Sequence, residues 1–270
     1  MINITHNYEN QTVLLTGSNG YVGNEFNSLL EKLNCIIIKS KGDLTLKQTW
    51  LGLLDQKVDY IFHLAASEGS GKDLSMNSRS VLLMLEACVE KKCFPKIIFL
   101  SSTNLFGLTA CSNVNENSQS YPISEFSSHK LLAENYLRYY YKMHKISSII
   151  LRIPNIFGPV EKPENFSRVV LNRVIRSAYE TGELTVFNNK YCRRDYIFIT
   201  DLLEALILAS FLEKTYFNGK FFILGPNFSH TIEQIWKIIQ SKVKSSKITY
   251  DPAHKLSPME YRNFSGIGKK

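Results

Sequence analysis

The chain has 270 residues, of which 44% are hydrophobic and 21% charged, and its formal net charge is +8. This composition excludes a disordered or fibrous chain and suits one α/β domain with a small addition. The positive charge suits an anionic ligand, but the basic residues are scattered and form no long run, which argues against a nucleic-acid partner.

The sequence also excludes several classes of protein. No apolar run approaches the ~18–20 residues needed to cross a bilayer, and the first nine residues lack the apolar core of a signal peptide. The five cysteines are an odd number and contain no CxxC pair, so neither a metal site nor a disulfide framework is predicted. We therefore expect a cytoplasmic protein without a membrane partner or a metal.

Short apolar runs alternate with amphipathic stretches through the first half of the chain. Buried strands are predicted at Val13–Thr16, Cys35–Ile38, Tyr60–Leu64, Lys96–Leu100 and Ser147–Arg152. Helical spacing of apolar residues marks the stretches Val22–Leu33, Ser80–Glu90 and His129–Lys145. This alternation predicts an α/β fold with a doubly wound parallel sheet.

The pattern becomes less regular after residue 155. Helices are predicted at Ser167–Thr181, at Asp201–Leu212 with Thr200 or Asp201 as its cap, and at Thr231–Val243. Strands are predicted at Leu184–Phe187, Tyr196–Thr200 and Phe221–Leu224, and the tail from Asp251 is expected to be loosely held.

A glycine-rich turn joins the first predicted strand to the first helix and reads Thr16-Gly17-Ser18-Asn19-Gly20-Tyr21-Val22-Gly23. In such a context the glycines permit a tight turn, a close approach of a pyrophosphate and close packing of helix on strand, while the helix amides face the phosphates. A glycine-rich turn is often only a turn, but the strand–loop–helix setting favours dinucleotide binding.

Further segments follow this loop in order. They are Phe62–Ala66, Asn77, Leu100–Gly107, Leu151–Pro159 and Arg193–Asp201. With the glycine loop, these segments resemble the extended short-chain dehydrogenase/reductases, the NAD-dependent epimerase/dehydratase family that modifies nucleotide sugars. The resemblance covers roughly residues 12–225.

The resemblance implies a Rossmann-type sheet with a small, discontinuous C-terminal substrate domain. Residues 1–157 would form the NAD(P)-binding domain, with 196–225 returning to it, and residues 158–195 and 226–270 the substrate domain. It implies a nucleotide-diphosphate sugar as substrate and a homodimer formed through the helix that carries Lys130. The implied cofactor-binding residues are Gly17, Ser18, Asn19, Gly20, Tyr21, Val22, Gly23, Lys39, Asp43, Leu44, Leu64, Ala65, Ala66, Lys130 and Pro154.

The choice between NAD and NADP depends on the end of the second strand. An acidic residue there selects NAD, whereas this chain has Lys39 and Lys41, with Asp43 following. Lysines can pair with a 2′-phosphate, so NADP is favoured over NAD, and Asp43 is expected near the adenine. The alternative is that both lysines are solvated residues of a turn.

The catalytic pattern implied by the resemblance lacks one member. The family uses a tyrosine four residues before a lysine, YxxxK; the lysine here is Lys130, but the tyrosine position is Phe126. A phenyl ring has no titratable proton, and loss of a general acid/base typically costs ~10²–10⁴ in rate.

Three hypotheses for Phe126 remain open. It is an engineered change in a normal enzyme, or the enzyme uses another acid such as Tyr121, His129 or a water, or the protein binds its ligands without turnover. His129 is adjacent to Lys130 and is expected to point elsewhere on the helix, whereas Tyr121 precedes the helix and can fold inward.

Further site residues follow from the resemblance. Ser102, with Ser101 and Thr103 as neighbours, matches the hydroxyl that donates to the substrate oxygen. Dehydratases have Asp and Glu at the two positions after it, where this chain has Thr103 and Asn104, so an epimerase or a 4-keto reductase remains.

On the substrate side, Asn155 resembles the residue that reaches the sugar or its phosphate, and Thr103 is placed there as well. Arg194 resembles the arginine that clamps the diphosphate. The alternative for Arg194 is a surface ion pair with Asp195 or a glutamate. His63 is expected to be a packed core histidine rather than a metal ligand.

Overall fold

The computed structural model describes residues 8–68, 73–107, 114–160, 169–187, 193–226, 229–244 and 246–251. The first half alternates strands with helices, as the periodicity predicts. In chain order it contains β1 (Thr12–Thr16), α1 (Tyr21–Leu30), β2 (Ile36–Lys39), α2 (Lys47–Leu53), β3 (Tyr60–His63), α3 (Met76–Lys91), β4 (Lys96–Ser102), α4 (Glu125–His144) and β5 (Ser148–Ile153).

The second half has shorter strands. It contains β6 (Asn155–Phe157), α5 (Val170–Glu180), β7 (Glu183–Phe187), β8 (Arg193–Arg194), β9 (Tyr196–Phe198), α6 (Ile199–Phe211), β10 (Asn218–Ile223), β11 (His230–Thr231), α7 (Ile232–Lys242) and β12 (Lys247–Asp251). Short 3₁₀ turns lie at Glu31–Leu33, Thr103–Phe106 and Lys214–Tyr216.

A six-stranded sheet in the order β10-β5-β4-β3-β1-β2 organises the molecule, and all its strand pairs are parallel. The strand order reverses between β1 and β3, because β2 lies on one side of β1 and β3 on the other. In open parallel sheets this reversal leaves a crevice at the carboxyl ends of the strands, where ligands bind. The predicted doubly wound, Rossmann-type α/β class is confirmed.

Helices cover both faces of this sheet, which explains why its strands are apolar along their whole length. On one face Phe26 of α1 and Leu206 of α6 belong to a buried cluster with β1 and β3. On the other face Trp50 of α2, Met84 of α3 and Leu137 of α4 form a second cluster. The sheet is therefore held between two layers of helices, and its carboxyl edge stays available for a site.

A third apolar cluster lies apart from the central sheet. It joins α5, β7 and α7 through Leu171, Leu184 and Trp236, and the Trp236 indole donates a hydrogen bond to the Thr185 carbonyl at 3.0 Å. Strand β12 pairs with β7 in parallel, β11 pairs with β8 antiparallel, and β6 pairs with β9 in parallel.

One predicted boundary is wrong. The strand β9 ends at Phe198 and α6 begins at Ile199, so Thr200 and Asp201 lie in the first helical turn and do not cap it. The apolar run before Thr200 is compatible with a strand or with a helix. In the structure Ile199 and Leu202 are buried together in the core against the sheet, and this three-residue spacing is that of a helix.

Several other elements differ from the prediction. Helix α2 and the strands β6, β8, β11 and β12 were not predicted, and α3 and α4 begin at Met76 and Glu125, each four residues before its predicted start. The early start of α4 has a local cause, because Ser124 and Ser127 form a reciprocal capping box. Phe126 therefore lies in the first turn of α4. Most of the tail from Asp251, residues 252–270, lies outside the described residues.

Among the helices of the described ranges, none combines the length and apolar character that a bilayer crossing needs.

Candidate active site

The glycine loop between β1 and α1 is built so tightly that two of its glycines have no room for a side chain. Gly17 has a φ of +72°, and a Cβ on it would lie 2.7 Å from the Ala65 nitrogen. A Cβ on Gly23 would lie 2.1 Å from the Gly17 carbonyl oxygen. The loop therefore folds back against its own helix and against the end of β3, as the spacing of the glycines predicts.

A buried hydrogen-bonded chain fixes the loop to β3. The Thr16 hydroxyl accepts from the Ala65 amide at 3.1 Å and is bonded to His63 Nδ1 at 3.3 Å, while His63 Nε2 is bonded to the Ser80 hydroxyl at 3.2 Å. Burial, with a smaller contribution from the charge of Lys130, lowers the pKa of His63 to about 3. His63 is thus a neutral core histidine, as expected.

The cofactor residues inferred from the sequence are brought together by the topology. Ser18 to Val22 follow β1, Leu64 to Ala66 follow β3, and Pro154 follows β5, so all lie at the carboxyl edge of the sheet. No side chain caps the amino end of α1, whose cap residue is Gly20. The uncapped helix end and the side-chain-free cradle fit a dinucleotide pyrophosphate.

The residues at the end of β2 and just after it differ in their exposure to solvent. Lys39 is exposed and its ammonium lies 3.3 Å from the Glu31 carboxylate. Asp43 is also exposed and accepts from the Thr45 amide and hydroxyl, which lowers the pKa of Asp43. Leu44 is instead buried in the core, with its carbonyl bonded to the Trp50 indole at 2.9 Å.

Lys130 lies deep at the same edge. Its side chain is buried, and its Nζ donates to the Leu100 carbonyl of β4 at 2.9 Å. The ammonium also lies 4.7 Å from the centre of the Phe99 ring and 6.0 Å from that of Phe126. Burial lowers the pKa of Lys130 to about 8, against the opposing charges of Glu68 and Glu134.

The three hydroxyl-bearing residues at the end of β4 differ in burial and in hydrogen bonding. The Ser101 hydroxyl is buried and donates to Glu134 at 2.7 Å, and Thr103 is buried. Ser102 is only partly buried, and its hydroxyl accepts from the Asn104 amide at 3.1 Å. A hydroxyl that accepts one bond keeps its own proton for a further partner, so Ser102 is the best placed of the three to donate to a ligand.

A buried ion pair beneath this edge was not anticipated from the sequence. Both Arg152 and Glu134 are fully buried, and their groups are joined by two hydrogen bonds of 2.8 and 2.7 Å. Arg138 and Ser101 donate to the same carboxylate. The network ties α4, which carries Lys130, to β4 and β5. Its only sequence signal is a glutamate four residues after Lys130, on the same face of a helix.

Neither alternative acid points to Lys130. The Tyr121 side chain is 70% exposed, so it does not turn toward the site as its position before the helix would permit. Its backbone amide donates to the Leu105 carbonyl at 2.7 Å. His129 turns toward α3, where its Nδ1 is bonded to the Ser78 hydroxyl at 2.9 Å. This orientation of His129 agrees with the helical spacing.

The substrate-side residues lie on the short strands β6 and β8. Asn155 is exposed and its amide donates to the Asp195 carbonyl at 3.3 Å. Arg193 binds both the hydroxyl and the carbonyl of Ser229, whereas the Arg194 guanidinium donates to the Arg193 carbonyl at 3.0 Å. Arg193 is therefore fixed to the loop before β11, and Arg194 contacts its own strand.

A family model, described as the NAD dependent epimerase/dehydratase family, matches residues 13–220. The chain belongs to this family. The match covers most of the central sheet, from Val13 of β1 into β10, together with the glycine loop and the region of Ser102 and Lys130. The resemblance inferred from the sequence is thus confirmed.

Two curated members of the NAD dependent epimerase/dehydratase family illustrate the similarity. An uncharacterized UDP-glucose epimerase, YtcB, of Bacillus subtilis is 24% identical over 227 residues, which are 81% of this chain and 69% of that protein. The human dTDP-D-glucose 4,6-dehydratase is 23% identical over 200 residues. That alignment covers 71% of this chain but only 54% of the dehydratase, so the chain spans about half the length of that relative.

Solved structures share the fold. RMD from Pseudomonas aeruginosa, complexed with NADPH, has a TM-score of 0.80 at 17% identity and covers 96% of this chain and 90% of its own. UDP-glucose 4-epimerase from Thermotoga maritima, with UDP-glucose, has a TM-score of 0.78 at 20% identity, with coverages of 91% and 87%. At these identities the likeness concerns the fold.

Proposed function

We propose that this protein uses NAD(P) to epimerise a nucleotide-diphosphate sugar or to reduce a 4-keto sugar of this kind. The observation that carries the proposal is the convergence of three features at one sheet edge: the glycine cradle, the partly exposed Ser102 hydroxyl and the buried Lys130 ammonium. A bound nicotinamide supplies or removes the hydride, so the protein itself has to bind, orient and exchange the proton.

Each residue at this edge then has a separate task. The glycine loop and the amino end of α1 hold the pyrophosphate, with Ser18, Asn19, Tyr21 and Val22 alongside. Ser102 donates its proton to the sugar oxygen and so stabilises negative charge on it. Lys130, whose ammonium is held by the Leu100 carbonyl, is proposed to supply positive charge at that oxygen.

The proposed substrate is a nucleotide-diphosphate sugar, because the named relatives include a UDP-glucose epimerase and a structure of the same fold contains UDP-glucose. Arg194 on β8 is proposed to bind the diphosphate, since a guanidinium matches two phosphate oxygens at once. Asn155 and Thr103 complete the sugar side. The cluster of α5, β7 and α7 would form the substrate domain.

NADP is proposed over NAD. Lys39 is exposed at the end of β2, Lys41 is exposed two residues later, and neither position is acidic. An ammonium there attracts a 2′-phosphate. Elimination of water is not proposed, because Thr103 and Asn104 stand where dehydratases that resemble this family have two acidic residues.

The second candidate function is binding of cofactor and nucleotide sugar without turnover. The observation that favours it is the Phe126 ring, which stands on α4 where the acid/base of the family is expected and has no proton to exchange.

A homodimer is part of the same proposal. Leu132, Tyr139 and Met143 leave 39%, 55% and 57% of their surfaces exposed on α4, and their spacing places them on one face of the helix. A second copy of the chain is the proposed partner for this face.

The cytoplasm is proposed as the location of the protein. The free thiols of Cys35, Cys88 and Cys93 suit a reducing compartment of this kind.

The test is turnover of NADPH and NADH with a panel of 4-keto nucleotide sugars, together with epimer analysis of the parent sugars. We expect oxidation of NADPH, or formation of an epimer, that is lost in Ser102→Ala. Tight binding of cofactor and sugar without any turnover would instead support the silent binding protein, and tighter binding of NADH would contradict the cofactor assignment.

A further inference from the structure

We infer that the Nζ amine of Lys130 is itself the proton donor and acceptor of this site, in place of a hydroxyl. The inference rests on the proposed function and deepens it. It concerns the one step for which the bound cofactor supplies nothing, namely the proton that the sugar oxygen gains or loses.

The Lys130 amine is buried and has a neutral hydrogen-bond partner. Its side chain is only 3% exposed, and among the described residues its hydrogen-bond acceptor is the neutral Leu100 carbonyl. The rings of Phe99 and Phe126, whose centres lie 4.7 and 6.0 Å from it, offset only a small part of the charge and offer no hydrogen-bond acceptor. The carboxylate nearest in sequence, Glu134, is occupied by Arg138 and Arg152. An ammonium in such surroundings is poorly compensated and gives up its proton readily.

The second argument comes from the charged and titratable groups around the amine. Glu134 on α4 and Glu68 after β3 favour the ammonium, whereas burial disfavours it more strongly, and the pKa of Lys130 falls to about 8. His63 on β3 is neutral and adds no charge. Both forms of the amine are therefore populated near neutral pH, which is the condition for an efficient acid and base.

The third argument is the lack of a competing group among the described residues of this edge. His129 is turned to Ser78, Tyr121 is 70% exposed, and burial lowers the pKa of His63 to about 3. The Leu100 carbonyl that holds the amine is two residues before Ser102 on the same strand. The amine of α4 is thus held by β4 two residues before the hydroxyl that is proposed to face the substrate.

In the direction of reduction, the carbonyl carbon gains both electrons with the hydride, and the carbon–oxygen π bond opens. The oxygen then forms an O–H bond as one N–H bond of the Lys130 ammonium breaks. The neutral amine that remains regains a proton from solvent. In the direction of oxidation the neutral amine takes the hydroxyl proton instead.

A direct experiment measures the titration of Lys130 without any turnover. Protein labelled with ¹³C at lysine Cε is titrated by NMR, and the Lys130 resonance is assigned by its loss in Lys130→Arg, or in Lys130→Gln if the arginine variant does not fold. Lys96 needs the same assignment, by Lys96→Arg, because burial also lowers the pKa of Lys96. We expect a Lys130 midpoint near 8. A midpoint at the ordinary lysine value of about 10.4 overturns the inference.

Kinetics with the conservative variant separate proton transfer from mere charge. Arginine keeps the positive charge but does not release its proton in proteins. Lys130→Arg should therefore bind NADPH within a few-fold of the wild type but lose ~10²–10⁴ in the rate of hydride transfer. The exposed Lys142→Arg, on the same helix, is the matched control and should change neither.

The outcomes distinguish the two proposals. Full activity in Lys130→Arg, or a pH–rate profile that does not follow the Lys130 midpoint, overturns the role of the amine and leaves the proposed function standing. If no nucleotide sugar is turned over while the midpoint remains near 8, the proposed function fails, and the role of Lys130 as proton carrier fails with it.

Discussion

The ammonium of Lys130 lies 6.0 Å from the centre of the Phe126 ring, and the two residues are one turn apart on α4. A tyrosine at position 126 would carry a hydroxyl on a ring in this position, on the same helix as the amine, whereas the phenyl ring carries no proton to exchange.

Phe126→Tyr should raise the rate of turnover by at least about tenfold, because it adds an acid/base beside a cation that lowers the pKa of the new hydroxyl. Initial rates with the 4-keto sugar that the wild type accepts would measure it. Phe126→Leu, which removes the ring without adding a proton donor, is the control. An unchanged rate in Phe126→Tyr would mean that Phe126 is not a lesion in an otherwise ordinary site.

Gly23→Ala should weaken cofactor binding by more than tenfold and destabilise the fold by about 1–3 kcal/mol, because its Cβ would meet the Gly17 carbonyl at 2.1 Å. Gly52→Ala, on α2, is the matched control, since a Cβ at that position would meet nothing within 4 Å. Isothermal titration with NADPH and urea unfolding measure the two effects. Equal losses in both variants would contradict the tight loop packing.

Glu31→Gln should increase affinity for NADPH while leaving NADH unchanged. In the wild type the Glu31 carboxylate lies 3.3 Å from Lys39 and competes with a 2′-phosphate for it. An exposed pair of this kind contributes up to about 1 kcal/mol, so the gain is at most about fivefold. Lys39→Met should act in the opposite direction. A Glu31→Gln variant that binds NADH more tightly as well would exclude the 2′-phosphate explanation.

His63→Gln should make the free energy of unfolding less dependent on pH in acid. The folded pKa of His63, about 3, is below its ordinary value of 6.5. Between these two values the unfolded chain binds a proton that the folded protein does not, so stability falls as the pH falls through this window, by up to about 1.4 kcal/mol per pH unit. Urea unfolding from pH 7 to pH 4 would show a steeper decline in the wild type than in the variant.

At neutral pH the same variant should be less stable than the wild type, because the Thr16 and Ser80 hydroxyls lose their buried partner. Parallel stability curves for the two proteins in acid would show that His63 binds its proton equally in both states, contrary to its burial.

Glu134→Gln should destabilise the protein by about 3–5 kcal/mol, because it leaves the fully buried Arg152 guanidinium without its countercharge. Glu125→Gln, on an exposed part of the same helix, is the control, and we expect a change within about 0.5 kcal/mol. Denaturant unfolding at pH 7 measures both. A small loss in Glu134→Gln would mean that the pair does not hold α4 on the sheet.

Much of the fold is predictable because its strands are covered on both faces and so leave continuous apolar runs in the sequence. The glycine loop is predictable because the spacing of its glycines is visible in the sequence, and two of them, Gly17 and Gly23, have no room for a side chain. Boundaries such as the start of α6 are not, since Ile199 suits a strand or a helix and only the core around Leu202 decides between them. Strand β12 depends on pairing with β7, more than 60 residues away.

The site was predictable to the level of residue types but not of contacts. The family pattern predicts Lys130 and Ser102 as site residues, but the pairing of Glu134 with Arg152 joins residues on different elements, and the position of Glu134 four residues after Lys130 does not reveal its partner. The distinction between Ser101 and Ser102 likewise depends on which hydroxyl faces Glu134. Such contacts are properties of the assembled sheet and helices.

The Tyr21 hydroxyl, at the start of α1, donates to the Pro159 carbonyl at 3.1 Å. This single bond joins the segment that cradles a dinucleotide to the segment that follows β6, on the sugar side. A ligand that moved either segment would act on the other through this bond, and since binding free energies are reciprocal, each of two such ligands would change the affinity for the other by the same factor. Removing the hydroxyl, in Tyr21→Phe, would then weaken that mutual effect on affinity.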